Sequence, residues 1–427
     1  MRKMKDSGQA WIGKIPESWT LIPGKHLFKQ RTTRGNGESL VLLSPTQSYG
    51  VIPQDLYEQY SGMNAVKLKE DANLNSLKTV KKGDFCISLR SFQGGFEYSR
   101  YEGVVSPAYQ VFYQTKALCD DFYKYLFKSS SFIEKINSFT MSLRDGKNIS
   151  FQDFGNMLLP VPPILEQQQI ADYLDSQCTK IDSIAEKIQS EIDILQQCRK
   201  SVIYKAVTKG LDPNVEMKDS GERWIGKIPS HWKINRVASL YSERNESGDP
   251  DLPVLMVSIN SGVSKGEVSN EDRMRSVVQS EDKTKYKRVY PDDLVYNMMR
   301  AWQGAFGAVR VDGLVSPAYV VAQPRQQLDT RYIEALFRTP AAVAEMKRFS
   351  YGIADFRLRL YWQYFRNIRL CFPPLEEQKK IADFVEERSI KINAVIAKKQ
   401  EQLSILADYK KSLIYEFVTG KKEVPAS

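Results

Sequence analysis

VPPILEQQQIADYLDSQCTKIDSIAEKIQSEIDILQQCRKSVIYKAVTKG, residues 161–210, opens on a Pro-Pro pair and runs to a glycine with no further proline or glycine between. Proline in the first turn and glycine just past the end bracket one long helix. Apolar residues recur at Ile170, Leu174, Ile181, Ile184, Ile188, Ile192, Leu195 and Val202, in steps of three, four and seven. That narrow stripe has the spacing of a coiled-coil seam. A second copy begins FPPLEEQKKIADFV at 372–385, ends at Gly420, and places Ile381, Val385, Ile392, Val395, Leu403, Leu406 and Leu413 on its stripe. At ~1.5 Å per residue each helix is a rod on the order of 65 Å long. Two such rods are expected to pair antiparallel and hold globular domains apart. Lys399 falls on the seam at the position equivalent to Ile188, so the pairing there is polar or turned toward a partner.

The duplication reaches far beyond the helices. MKDSGQAWIGKIP at 4–16 returns as MKDSGERWIGKIP at 217–229, with eleven of thirteen letters shared, which excludes coincidence. SFQGGF at 91–96 returns as AWQGAF at 301–306, and VVSPAY at 104–109 as LVSPAY at 314–319. SVIYKAVTKG at 201–210 returns as SLIYEFVTGK at 412–421. The chain is therefore an internal repeat of two mixed α+β halves with a pseudo-twofold relation. Its expected parts are a first domain over 1–160, a long helix over 161–211, a second domain over 212–371 and a second long helix over 372–427. Short β-like runs punctuated by Gly and Pro place the two domains in the α/β class.

Composition limits the function. The chain has 61 Lys plus Arg against 51 Asp plus Glu, for a net charge of +10. That excess suits a polyanionic partner, because phosphate contacts release counterions. Five scattered cysteines and only two histidines, His26 and His231, leave no set for a zinc site. No apolar run is long enough to span a membrane, the start has no secretory signal, and the chain is read as a reduced, cytosolic protein.

Scaffold repeats, but interior does not. Residues 31–80 and 241–285 share almost nothing, nor do 130–150 and 340–360. One scaffold with different loops implies the same partner met twice and different targets met twice. Cations cluster before a strand in each half, at Lys81 and Lys82 and at Lys285, Tyr286, Lys287 and Arg288. Such residues suit phosphate contacts, which position without reading bases. Arg90 with Gln93 and Arg300 with Gln303 stand just before glycines. Arginine and glutamine are the usual readers of guanine and adenine edges, although a tight turn with solvated charges would look the same. Arg144, Lys147 and Asn148 face Arg357 and Arg359 across the alignment, polar in both halves but differently composed.

These motifs, twice in one order over nearly the whole chain, resemble the specificity (HsdS) subunit of type I restriction-modification systems. The resemblance implies a non-catalytic adaptor whose two target-recognition domains read a bipartite, asymmetric sequence in double-stranded DNA. It further implies a scaffold that docks two methyltransferase subunits and is joined by restriction subunits. S-adenosylmethionine, ATP and Mg²⁺ would then be bound by those partners and no cofactor by this chain, in the cytoplasm of a prokaryote. One departure stands out: Gly83-Asp84 in the first half is Asp292-Asp293 in the second, which weakens any claim that both turns have one geometry. A self-contained nuclease or methyltransferase is the enzymatic rival. The Pro-Pro pairs read VPPI and FPPL, however, without the asparagine or aspartate an adenine methyltransferase needs, and no phosphate loop occurs. A protein scaffold with no DNA role is the other rival.

Overall fold

A computed structural model describes residues 2–35, 41–63, 74–87, 95–139, 149–249, 251–259, 262–265, 285–352 and 358–425. The chain forms two compact units, residues 1–188 with 401–427 and residues 189–400. Each unit thus holds one mixed α/β domain with the beginning of one long helix and the end of the other.

The repeated phrase folds identically in both. Met4–Asp6 pairs antiparallel with Lys14–Pro16, and Met217–Asp219 with Lys227–Pro229. Asp6 and Asp219 each accept the amide two residues on, from Gly8 and Gly221, at 2.9 Å, an Asx turn that closes the loop. The backbone carbonyls so presented receive a lysine at the end of a long helix. In the first unit Lys421 Nζ donates to Ile12 O at 2.7 Å and to Lys14 O. In the second unit Lys209 Nζ donates to Ile225 O at 3.2 Å and to Lys227 O. Burial pushes both ammonium groups below the usual lysine range. Gly210 and Gly420 turn the chain at φ +77° and +71°. A Cβ on Gly420 would lie 2.5 Å from Pro16 Cδ, so only glycine fits there. The phrase is a socket for a helix end, which is why it is written twice.

Above each socket lies a four-stranded antiparallel sheet. Its strand order is Phe28–Gln30, Gln110–Gln114, Phe85–Ile87, Phe96–Tyr98 in the first unit, and Tyr241–Arg244, Tyr319–Pro324, Leu294–Asn297, Phe306–Ala308 in the second. The first core is aromatic, with Phe28, Phe85, Phe112, Phe127 and Phe154 in mutual contact. The second substitutes Tyr241, Leu294 and Ala322 at three of these positions and keeps Phe337 and Phe365.

The LEQQ and LEEQ motifs anchor the helix beginnings. Gln167, buried, accepts the Cys119 amide at 2.9 Å and donates to Pro162 O at 2.8 Å. Gln378, also buried, accepts the Asp329 amide at 3.0 Å and donates to Pro373 O at 2.8 Å. Gln378→Leu keeps the volume but leaves a buried amide and a buried carbonyl unpaired. Denaturant unfolding should show a loss of about 2–3 kcal/mol.

The long helices span Ile164–Lys209 and Leu375–Val418, and within each unit they pair antiparallel. In the first unit Tyr173 packs on Phe417 with ring centroids 4.7 Å apart, and Lys410 donates to both Asp182 oxygens at 2.7 Å. In the second, Arg199 meets Asn393 and Lys399 meets Glu191. Ile170, Leu174, Ile181, Ile381 and Val385 are buried, and Ile188, Leu195, Ile392, Leu403 and Leu406 half-buried, as the seam requires. Two expected seam residues are corrected: Ile184 is 47 % and Val395 43 % exposed. The seam passes instead through Ala185 and Ile396, one residue on in each case.

The turn before the central strand keeps one geometry in both halves despite the change of residue. Gly83 has φ +92° and Asp292 φ +70°, and each precedes a buried aspartate held by an arginine fork. Arg31 Nε and Nη2 donate to Asp84 at 2.6 and 2.8 Å, and Arg244 Nε and Nη2 to Asp293 at 3.1 and 3.3 Å. Asp84 also accepts the Lys81 amide at 2.8 Å, and Asp293 the Tyr290 amide at 2.9 Å.

Beside Gly83 stands Asp120, whose Oδ1 is buried and finds no partner among the described residues. Desolvation, with Asp121 and Asp84 nearby, raises its carboxyl to about 6. The folded state therefore keeps a proton that the unfolded chain, with pKa about 3.9, has released. Stability falls as pH rises from about 4 to about 6 and is then level with respect to this group. The counterpart, Thr330, is uncharged and donates to Asp292 O at 2.6 Å. Melting curves of Asp120→Asn should lack this fall and lie above those of the native chain at neutral pH.

Candidate nucleic-acid interface

Of the expected DNA-contacting residues, Arg90, Gln93, Arg144, Lys147, Asn148 and Arg357 lie outside the described residues. Lys81, Lys82, Lys285, Gln303 and Arg359 are exposed, and Arg288 and Arg300 half-buried. Two members of the cation run face inward. Tyr286 is 7 % exposed, and Lys287 donates to Tyr319 O at 2.9 Å. In the first unit Lys78 does the same to Tyr109 O at 2.6 Å. This pairing explains the repeated SPAY: its turn offers a carbonyl to a half-buried lysine on the neighbouring strand. Burial lowers the pKa of both lysines. Arg288 lies over the Tyr290 ring at 4.9 Å and reaches Asp312 at 3.7 Å.

In the second unit the backbone brings two of the candidate segments together. Leu360 N donates to Met298 O at 2.9 Å, which sets the Arg300–Gln303 turn beside the segment carrying Arg359. Gly304, at φ +94°, closes that turn, and Trp302 Nε1 donates to Met299 O at 3.0 Å. Arg359 and Tyr351 exchange both backbone hydrogen bonds at 2.9 Å, so their side chains stand on one face. Tyr351, 56 % exposed, stacks on Tyr364 with centroids 4.1 Å apart. Exposed rings interleaved with arginine suit contact with bases and sugars.

Each unit opens a groove at the same place in its fold, between an edge strand of the central sheet and the short helix before the last strand. In the first unit it is about 500 Å³, lined by Lys25, Gln30, Gln110, Ser150, Gln152 and Asn156. In the second it is about 420 Å³, lined by Glu243, Lys287, Met298, Val320, Tyr361 and Gln363. Gln110 clasps the first groove's far wall, donating to Ile149 O at 2.9 Å and accepting the Phe151 amide at 2.7 Å. Val320 replaces it in the second. Sequence reading missed these grooves. The only available signal was the unlike composition of 130–150 and 340–360; Ser150 ends the first stretch on one groove, and Tyr361 follows the second on the other.

Residues 43–193 match the family described as type I restriction modification DNA specificity domain. The specificity subunit of the type I restriction enzyme MjaVIII of Methanocaldococcus jannaschii is 25 % identical, over 96 % of this chain and 94 % of that one. That of EcoKI from Escherichia coli K12 is 23 % identical over 88 % and 83 %. Two solved structures share the fold. One, from work on complex assembly and conformational transition of the type I R-M system, has a TM-score of 0.69 at 12 % identity, covering 96 % of this chain and 99 % of that one. The other, the HsdS subunit of Thermoanaerobacter tengcongensis, has 0.51 at 14 %, covering 96 % and 98 %. The duplicated α/β domain with two long helices is thus a fold shared with these two structures. Over most of its length the chain is similar to the specificity subunits of type I restriction-modification systems.

Proposed function

We propose that this chain is the DNA-recognition subunit of a type I restriction-modification complex and that each unit reads one part of a bipartite target. The observation that carries this is the pair of grooves: one frame, matched down to its ion pairs and glutamine anchors, lined by different side chains. A single reader has no use for a duplicated frame, and two readers of one sequence have no use for unlike linings. The frame is the natural dock for two copies of one methyltransferase, with restriction subunits joining outside them. Adenine methylation and ATP-driven cleavage belong to those partners, which would hold S-adenosylmethionine, ATP and Mg²⁺; this chain contributes recognition and spacing. The setting proposed is the cytoplasm of a prokaryotic cell. Among the described residues no helix is long and apolar enough to cross a membrane.

The test is a single-molecule map of N6-methyladenine in the native host with and without the gene. One gapped, bipartite motif should lose its methylation on deletion. Motifs that all survive deletion would remove the chain from DNA modification. Binding of the assembled complex to duplex DNA should also weaken steeply with salt, as phosphate contacts require; salt-insensitive binding would favour a protein scaffold.

A further inference from the structure

We infer that Gln30 and Glu243 are specificity-determining residues, each reading a base edge in its own half of the target. The inference rests on the DNA-recognition reading and names where within each unit that reading occurs. The two residues are equivalent in the repeat, 213 positions apart like the opening phrases. Each sits on the edge strand of its sheet, Gln30 opposite Phe112 and Glu243 opposite Ala322. Each is half-buried, lines its groove, and makes no side-chain hydrogen bond among the described residues. Their strand neighbours Arg31 and Arg244 are the same residue making the same ion pair with a buried aspartate. The backbone that presents the pair is therefore held alike in both units, while the group presented differs. That is the arrangement a specificity position needs.

The chemistry separates the two readings. A glutamine amide is both donor and acceptor, and pairs bidentately with the N6 and N7 of adenine. A carboxylate only accepts, and suits the exposed amino group of cytosine. Lys287, on the same groove, attracts the Glu243 carboxylate without hydrogen-bonding it. A half-buried carboxylate or amide that makes no hydrogen bond is costly to keep in a groove, and a base edge supplies one. The rims fit the same occupant. Lys25 donates to Asn156 Oδ1 at 3.2 Å in the first groove, which brings a cation to the rim where a phosphate would lie. In the second, Tyr361 is 38 % exposed where the first has Ser150. Gln152 and Gln363 repeat unchanged in the two rims and so belong with the shared contacts.

The experiment is selection of a randomised duplex library on the full chain assembled with its methyltransferase subunits. Native protein, Glu243→Gln and Gln30→Glu are compared; both substitutions are isosteric at half-buried positions. Each variant should shift base preference about tenfold at one position in one half-site, a different half for each, with the other half unchanged. Tyr361→Ser, which copies the first groove's rim, should alter only the half that Glu243→Gln alters. An unchanged motif, or an equal loss on all sequences, would overturn the assignment of these residues and leave DNA recognition standing. Native protein that selects no motif would overturn both.

Discussion

Asp84→Ala should cost about 3–5 kcal/mol, the typical penalty for removing one partner of a buried ion pair. The carboxylate side chain is 3 % exposed and the Arg31 guanidinium it holds is 14 % exposed. Its hydrogen bonds hold the Arg31 proton more tightly than usual, and the guanidinium also lies over the Tyr113 ring at 4.4 Å. Without Asp84 the guanidinium is left desolvated, and the Lys81 amide that closes the turn loses its acceptor. For a unit of this size the loss corresponds to a fall in melting temperature on the order of 10 °C. The double substitution Arg31→Met with Asp84→Leu removes both charges and should lie within about 2 kcal/mol of the native chain. If the single and double variants melt alike, the pair does not behave as a buried unit. Asp293→Ala should act in the same direction in the second unit, by less, because its bonds to Arg244 are longer, at 3.1 and 3.3 Å.

That ion pair also marks where sequence reading stops. Arg31 and Arg244 align in the repeat, as do Asp84 and Asp293, yet nothing in a list of letters says that residues 53 apart meet. The change from Gly83 to Asp292 weakened the case for like turns, because positive φ is ordinary for glycine and uncommon elsewhere. Aspartate is among the residues that tolerate it, and the repeated ion pair beside it holds the conformation. The helix limits were legible because Pro-Pro and glycine act locally: Gly210 and Gly420 stand where expected. Burial of single side chains was not legible. Tyr286 sits in a run of cations but is covered, and Lys287 turns to a carbonyl 32 residues away. The grooves, lined by residues from at least three separate segments, were least legible of all.

The seam offers the sharpest contrast, because two adjacent residues should respond oppositely. From Ile392 the heptad allows a step of three to Val395 or of four to Ile396, and Lys399 follows either at the complementary step. Both candidates are apolar and β-branched, so periodicity cannot choose between them. The fold chooses Ile396, 8 % exposed, and leaves Val395 at 43 %. It then seats Lys399 in the seam with its side chain 25 % exposed and its ammonium on Glu191, a long side chain burying its stem while its charge stays near water. Ile396→Asp removes a buried side chain and puts a carboxylate in its place, which should cost about 3–5 kcal/mol. Val395→Asp should stay within about 0.5 kcal/mol of the native chain. Thermal melts of the two variants decide the matter directly, and the methylation map carries it to function. Val395→Asp should keep the native motif and gap, whereas Ile396→Asp should lose methylation at the intact bipartite site as the helix pair loosens. Equal melts for the two variants would place the seam elsewhere, and a lost motif with Val395→Asp alone would mean that its exposed face is covered in the assembled complex.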